Sequence, residues 1–167
     1  MARAREVADL DCDESFALSA ARVVEVRLDE VIEHSRNVLD VKDIERVHAM
    51  RVATRRLRAA MEIFAPCFPR KRHRRALREV KAIADALGER RDRDVAIEAL
   101  ERYLEGVPAA DGKGVDALVV TLRAEQRHAN EALAPFVDDG RLAEVRGMID
   151  ELVEAARMHA APEGSPR

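Results

Sequence analysis

The chain has 167 residues, of which 47% are hydrophobic, 37% are charged and 3% are aromatic, and its formal net charge is −3. This length and apolar fraction predict a single globular domain that buries a core without disulfide staples. No apolar run is long enough to cross a bilayer and no apolar segment follows the N-terminal arginines, so we expect a cytoplasmic protein without a membrane anchor.

Charge is distributed unevenly along the chain. Residues 46–93 contain 15 of the 29 Lys/Arg but only 5 of the 32 Asp/Glu, so the remainder is strongly acidic. A concentrated cationic surface of this kind focuses its electrostatic field on a polyanion.

Composition and spacing predict an all-α fold. Good helix formers dominate, the 7 Gly and 6 Pro are widely spaced, and no segment alternates at the strand period. Short connections between amphipathic helices predict an antiparallel bundle of five or six helices in one domain, 1–161, followed by a disordered tail, 162–167.

The first helix is predicted over 11–37. Asp11 and Glu14 form a capping-box-like start, and Glu30 falls on the wet side of the helix. The apolar stripe that faces the core is Val24, Leu28, Val31 and Ile32.

The second helix is predicted over 43–65, with Asp43 as its N-cap and Pro66 breaking the pattern after its end. On a helical wheel, one side is basic and the opposite side is apolar, while Arg56 points elsewhere. The basic stripe is about 15 Å long, which suits a linear ligand better than a single phosphate. The stripe consists of His48, Arg51, Arg55 and Arg58, and the apolar side of Met50, Ala53, Leu57, Ala60, Met61 and Phe64.

The third helix is predicted over 69–88, with Gly88 as a left-handed C-terminal cap. Asp92 and Asp94 stand where N-caps are expected for a short fourth helix that ends near residue 105. The third helix carries a second basic stripe of Arg70, Arg74, Arg78 and Lys81, and an apolar side of Ala76, Val80, Ile83 and Leu87.

Two further helices complete the predicted bundle after a flexible connection at 107–114. The fifth helix covers 115–133 and is stopped by Pro135. The sixth covers 139–160, and its apolar stripe consists of Leu142, Val145, Ile149, Leu152, Val153 and Ala156.

The two basic stripes indicate an anionic ligand. Like charges at i, i+4 destabilise a helix, and an anion between the stripes would remove this penalty. Arginine predominates, and its planar fork makes bidentate contacts to phosphate oxygens. The alternative is structural: the stripes could be solvated faces, or could pair with the acidic helices 11–37 and 139–160.

Catalytic and metal-binding signatures are not found. The sequence contains no P-loop, H-E-x-x-H or G-x-S-x-G pattern. Asp92 and Asp94 are better explained as helix N-caps and as partners of Arg90, Arg91 or Arg93 than as metal ligands, because no further ligand lies at a suitable spacing. We therefore expect a non-enzymatic protein without a cofactor or metal.

Two motifs resemble those of the CHAD family, the conserved histidine α-helical domain. The first is V-H-A-M-R-V-A-T-R-R-L-R at 47–58, and the second is L-G-E-R-R-D-R-D-V at 87–95, with a basic helix between them. Only the first half-repeat of the family's domain is identified, because no second copy of the basic helix follows residue 114.

The resemblance implies a helical bundle with a basic groove or pore that binds inorganic polyphosphate without catalysis of its own. It also implies possible association with triphosphate tunnel enzymes or polyphosphate granules. By motif, the binding residues fall on His48, Arg51, Arg55, Arg56, Arg58 and Arg91, and by position on Arg74, Arg78 and Lys81.

A half-length domain leaves two arrangements open: a homodimer that completes the pore, or an open basic groove. Two other functions use the same face, namely nucleic-acid binding and binding of an acidic protein. Nucleic-acid binding is disfavoured because the stripes lack aromatic residues on which bases stack.

Overall fold

The computed structural model describes residues 3–8, 10, 11, 13–108 and 112–160, and this part of the chain folds into α-helices without a β-strand. The predicted all-α bundle is confirmed. The predicted tail at 162–167 and residues 109–111 of the predicted connection lie outside the described residues. The helices are α1 (Phe16–His34), α2 (Ile44–Ile63), α3 (Arg70–Leu104), α4 (Lys113–Val137) and α5 (Asp139–Ala160), with a 3₁₀ turn at Ala65–Cys67.

α1 begins later than predicted, and its cap is a different residue. Ser15 is the N-cap, and its hydroxyl accepts a hydrogen bond from the backbone N–H of Leu18 at 3.3 Å. The predicted start at Asp11 is wrong, because the Asp11 carboxylate accepts instead from the N–H of Asp13 in a local turn. A serine hydroxyl is as good a cap as an aspartate, so two candidate caps close together leave the start ambiguous from sequence.

α2 begins after Asp43, as predicted, but the Asp43 side chain makes no capping hydrogen bond. Its carboxylate lies 2.8 Å from Arg46 instead. The helix ends at Ile63, and the 3₁₀ turn that contains Pro66 leads into α3. The short link makes α2 and α3 antiparallel neighbours.

α3 is one continuous helix of 35 residues, so the predicted end at Gly88 and the separate fourth helix are wrong. No glycine in the described part of the chain has a positive φ, so Gly88 is not a left-handed cap. Buried positions continue past it at Arg90, Asp94 and Ile97, in register with Leu87. Burial of this continuous face offsets the low helix propensity of one glycine.

α4 continues through Pro135 to Val137, so the predicted stop before the proline is also wrong. The proline removes one hydrogen bond in the last turn, where Glu131 and Pro135 are exposed and water can solvate the freed carbonyl. Leu133 and Val137 are buried on the other side of the helix, which holds this turn in place.

The core forms where the predicted apolar stripes meet. α1 packs on α2 and α5, and α3 packs on α2, α4 and α5. The apolar stripe predicted for α5 is fully buried, as are the four apolar residues predicted for the first half of α3. α3 also packs on α4, and the buried residues Ile97 of α3 and Val119 of α4 lie outside the main core cluster.

Candidate functional site

The two basic stripes face one groove, which we call the α2–α3 groove. The Lys81 ammonium of α3 lies 3.1 Å from the Glu62 carboxylate near the end of α2. At the other end, Arg91 of α3 lies 3.9 Å from Glu45 at the start of α2. The two contacts show that α2 and α3 run antiparallel. The α3 stripe, which ends at Lys81, therefore adjoins the C-terminal end of α2, and Arg91 adjoins the start of α2.

The cations of the groove are accessible to a ligand. Arg55, Arg74 and Arg78 are exposed, whereas His48, Arg51, Arg58 and Lys81 are half-buried. An open cleft of about 490 Å³ adjoins the α3 side and is lined by Lys71, Arg74, Arg75, Leu77, Arg78 and Lys81.

Four of these arginines have no protein partner within the described part of the chain. Arg51, Arg55, Arg74 and Arg78 make neither an ion pair nor a hydrogen bond there through their side chains. Like charges gathered without counterions raise the electrostatic energy of the free protein, and a bound anion would lower it. This is the arrangement expected of an anion site rather than of a neutralised surface.

The acidic helices are paired elsewhere, so within the described part of the chain they do not neutralise these four arginines. Asp29 of α1 lies 2.6 Å from Arg146 of α5, and Glu25 lies 2.7 Å from Arg157. Glu79 of α3 pairs with Arg141. These pairs hold α5 against α1 and α3. They exclude pairing with the acidic helices for the four arginines, whereas the other structural alternative, a solvated face, has the same unpaired arginines.

Arg56 faces α1 instead of the groove. Its Nη1 lies 3.7 Å from Glu30, which is only 3% exposed, so the placement of Glu30 on the wet side of α1 is wrong. Burial would raise the pKa of Glu30. Hydrogen bonds from the Arg5 backbone and the Arg27 side chain, with the charges of Arg27 and Arg56, outweigh burial and lower that pKa. Arg56 therefore belongs to a buried carboxylate cluster that joins α1 to α2.

The side of α3 that faces the groove is no longer basic beyond Lys81. Asp85, Gly88 and Asp92 lie within about 40° of Lys81 on the helical wheel, and both aspartates are exposed. The wall is therefore basic only along its first three turns. Farther on, the cations come from α2 and from Arg91, whose side chain is 13% exposed.

A buried ion pair stands behind this wall. Arg90 and Asp94 pair across one turn of α3, and both side chains are fully buried. Burial, and then the charge of neighbouring Arg91, lowers the pKa of Arg90. Gln126 of α4 donates to Asp94 at 2.7 Å. Asn130 accepts from Arg90 at 3.3 Å and donates to the carbonyl of Leu39 at 2.9 Å.

This network joins α3, α4 and the α1–α2 connection. The sequence interpretation named Arg90 as one of three possible partners of Asp94, but it did not predict that the pair is buried or that residues of α4 contact it. Asp94 was assigned to a helix cap, whereas the structure places it in the middle of α3. The available signal was its spacing of four from Arg90, in register with Leu87 and Ile97 on the buried face.

Two further features of the described residues bear on function. No group of three or more His, Cys, Asp or Glu there could hold a metal ion. None of the helices that the structure describes is both long and apolar enough to span a membrane.

Comparison with known proteins identifies the family. A search of curated proteins finds no matching relative. The family model described as CHAD domain matches residues 22–166, which is nearly the whole chain and includes both walls of the α2–α3 groove. The chain therefore belongs to the CHAD family.

Proposed function

We propose that the α2–α3 groove binds inorganic polyphosphate. The observation that carries this proposal is the set of four arginines, Arg51, Arg55, Arg74 and Arg78, that lie on two facing walls without a partner in the described part of the chain. The choice of polyphosphate among the polyanions rests on membership of the CHAD family. The resemblance to that family implies polyphosphate binding.

The shape of the groove supports a linear ligand. The α2 stripe from His48 to Arg58 spans about 15 Å, far more than one phosphate group covers. The α3 stripe from Arg70 to Lys81 meets the C-terminal end of α2, where Lys81 lies 3.1 Å from Glu62, and extends the line of cations. A polyphosphate chain laid along the groove contacts cations from both walls, and each guanidinium can hold phosphate oxygens with two parallel hydrogen bonds.

His48 lies in register with these arginines and is half-buried. A histidine in this position donates a hydrogen bond to a phosphate oxygen and gains a positive charge as the pH falls. We propose binding and orientation as the role of every groove residue, with no chemical step.

Nucleic acid is the rival polyanion, and the placement of the aromatic rings disfavours it. Phe16 and Phe64 pack against each other with ring centroids 5.2 Å apart, and Phe68 stacks on His73 at 5.8 Å. Among the described residues, no Phe or Tyr belongs to either basic stripe, so the stripes carry no aromatic platform on which bases could stack.

The proposal is tested by removing two of the free arginines. We expect Arg51→Gln/Arg55→Gln to weaken long-chain polyphosphate binding at least tenfold, because each lost charge-assisted hydrogen bond contributes about 1.5 kcal/mol or more. Calorimetric titration measures the affinity, and circular dichroism confirms that the fold is retained.

The matched control is Arg123→Gln/Arg127→Gln, which removes two charges from exposed positions of α4 outside the groove. We expect less than a threefold loss there, because only long-range attraction changes. Equal losses in the two double variants would show that net charge, not the groove, holds the ligand. Competition with duplex DNA distinguishes the rival polyanion.

Pairing of two chains to complete the pore, and association with triphosphate tunnel enzymes or polyphosphate granules, remain proposals. They rest on the family resemblance. An acidic protein partner is the remaining alternative for the same face.

A further inference from the structure

Glu62 is an anion in the middle of the basic stripe of α2. On the helical wheel it lies about 40° from His48, between the directions of Arg55 and Arg58. Its carboxylate is 42% exposed, so it stands within reach of a ligand in the groove. The sequence interpretation counted Glu62 only as one of five acidic residues in the basic segment.

The Glu62 carboxylate bridges the two walls. Its Oε1 accepts a hydrogen bond from Arg58 Nε of α2 at 3.1 Å and lies 3.1 Å from Lys81 Nζ of α3. The hydrogen bonds from Lys81 and then Arg58 lower the pKa of Glu62, so the group is charged near neutral pH. One oxygen held by a cation from each wall is the contact that a phosphate oxygen would make in the same place.

Four of the remaining groove arginines make no such contact. Arg51, Arg55, Arg74 and Arg78 are without a partner in the described part of the chain, as set out above. The groove therefore contains open cation positions and, at Arg58 and Lys81, a position where one carboxylate already bridges both walls.

We propose that Glu62 acts as an internal competitor that makes the groove select long phosphate chains over short ones. The inference rests on the proposed function. A short anion that binds to Arg58 and Lys81 must displace the Glu62 carboxylate in a single bimolecular step. A long chain first binds the open arginines, and its neighbouring phosphates then compete with Glu62 at a high effective concentration.

A purely structural role for Glu62 makes the opposite prediction. If the carboxylate only holds Arg58 and Lys81 in place for the ligand, its removal weakens binding of every phosphate, because the two side chains lose their preorganisation. If Glu62 only lowers the positive potential of the groove, its removal strengthens the binding of every phosphate ligand. The gain in affinity then increases with the number of charges that the ligand carries.

The test compares Glu62→Gln with Glu45→Gln. Both variants remove one negative charge from an exposed position of α2 beside the groove, but Glu45 lies 3.9 Å from Arg91 and bridges no second cation among the residues that the structure describes. The ligands are tripolyphosphate and long-chain polyphosphate, titrated calorimetrically at one fixed ionic strength. Glu62→Ala is a second variant that removes the amide as a possible hydrogen-bond partner.

We expect Glu62→Gln and Glu62→Ala to strengthen tripolyphosphate binding about five- to tenfold. The reason is that the ligand no longer has to break the exposed ion pairs of Glu62 with Arg58 and Lys81, each of which contributes up to about 1 kcal/mol. Long-chain binding should strengthen less than threefold, so the preference for long chains falls. Glu45→Gln should leave that preference unchanged.

Four results would overturn the inference. If the Glu62 variants strengthened long-chain binding as much as tripolyphosphate binding, or more, only the general charge effect would remain. Weaker binding of both ligands would show that Glu62 is a positioning residue. If the Glu62 variants kept the wild-type preference for long chains over tripolyphosphate, and the wild-type protein bound long chains, the inference about Glu62 would be refuted but the proposed function would not. A wild-type protein that binds neither ligand refutes the proposed function as well.

Discussion

At the scale of single residues, the buried pair Arg90–Asp94 joins α3 to α4 behind the groove. Both side chains are fully buried, and Gln126 and Asn130 of α4 contact the pair through hydrogen bonds. Taking two charges out of water is costly, so the pair contributes little net stability, but removing one partner leaves the other charge buried alone.

We expect Arg90→Met to lower the free energy of unfolding by about 3–5 kcal/mol, because Asp94 is then an uncompensated buried charge. The double variant Arg90→Met/Asp94→Leu should recover a large part of this loss. Urea denaturation followed by circular dichroism measures both. The single variant Asp94→Leu completes the comparison. If the double variant lost as much unfolding free energy as the two single variants together, the two residues would act independently.

Residue positions on a helix were predictable from the sequence, whereas contacts between helices were not. The wheel of α2 placed Met50, Ala53 and Leu57 on the core side, and all three are buried. The ion pair of Arg56 with Glu30 depends on how α1 is rotated and shifted against α2. The same is true of Glu62 and Lys81, because local periodicity carries no information about the register between two helices.

At the scale of elements, α3 shows how burial outweighs local breakers. The glycine rule predicted a helix end at Gly88, yet the helix continues for sixteen more residues. The buried positions Leu87, Arg90, Asp94 and Ile97 bind this segment to the rest of the bundle. Pro135 in α4 is the second example, with Leu133 and Val137 buried around it. α5 contains no proline and only one glycine after its first turn. The bounds predicted for this helix, 139–160, agree with those observed.

The continuity of α3 predicts the effect of Gly88→Ala. A Cβ at residue 88 would meet no atom within 4 Å, and the backbone there has no positive φ. We therefore expect the variant to raise the free energy of unfolding by about 0.5–1 kcal/mol, because alanine loses less backbone entropy in a helix. Urea denaturation gives the value.

Gly147→Ala in α5 is the matched control, since a Cβ at residue 147 also meets no atom within 4 Å. It should stabilise the protein to a similar extent. If Gly88→Ala instead destabilised the protein while Gly147→Ala stabilised it, Gly88 would be a left-handed cap and α3 would end there.

At the scale of the whole molecule, charge is separated in space as it is along the sequence. The acidic residues of α1 and α5 are engaged with Arg146 and Arg157 on one side of the bundle. The arginines of α2 and α3 line the groove, and four of them have no partner in the described part of the chain. A protein with a net charge of −3 thus carries a local excess of positive charge along α2 and the first half of α3.

Binding of long-chain polyphosphate by the wild-type protein is the most direct test of the proposed function. The titration is repeated between about 50 and 200 mM salt, with orthophosphate and duplex DNA as comparison ligands. We expect long-chain polyphosphate to bind most tightly, and its affinity to fall at least tenfold over this salt range because binding neutralises several phosphates at once. Binding that does not change with salt, or an affinity for orthophosphate or DNA equal to that for polyphosphate, would contradict polyphosphate binding in the α2–α3 groove.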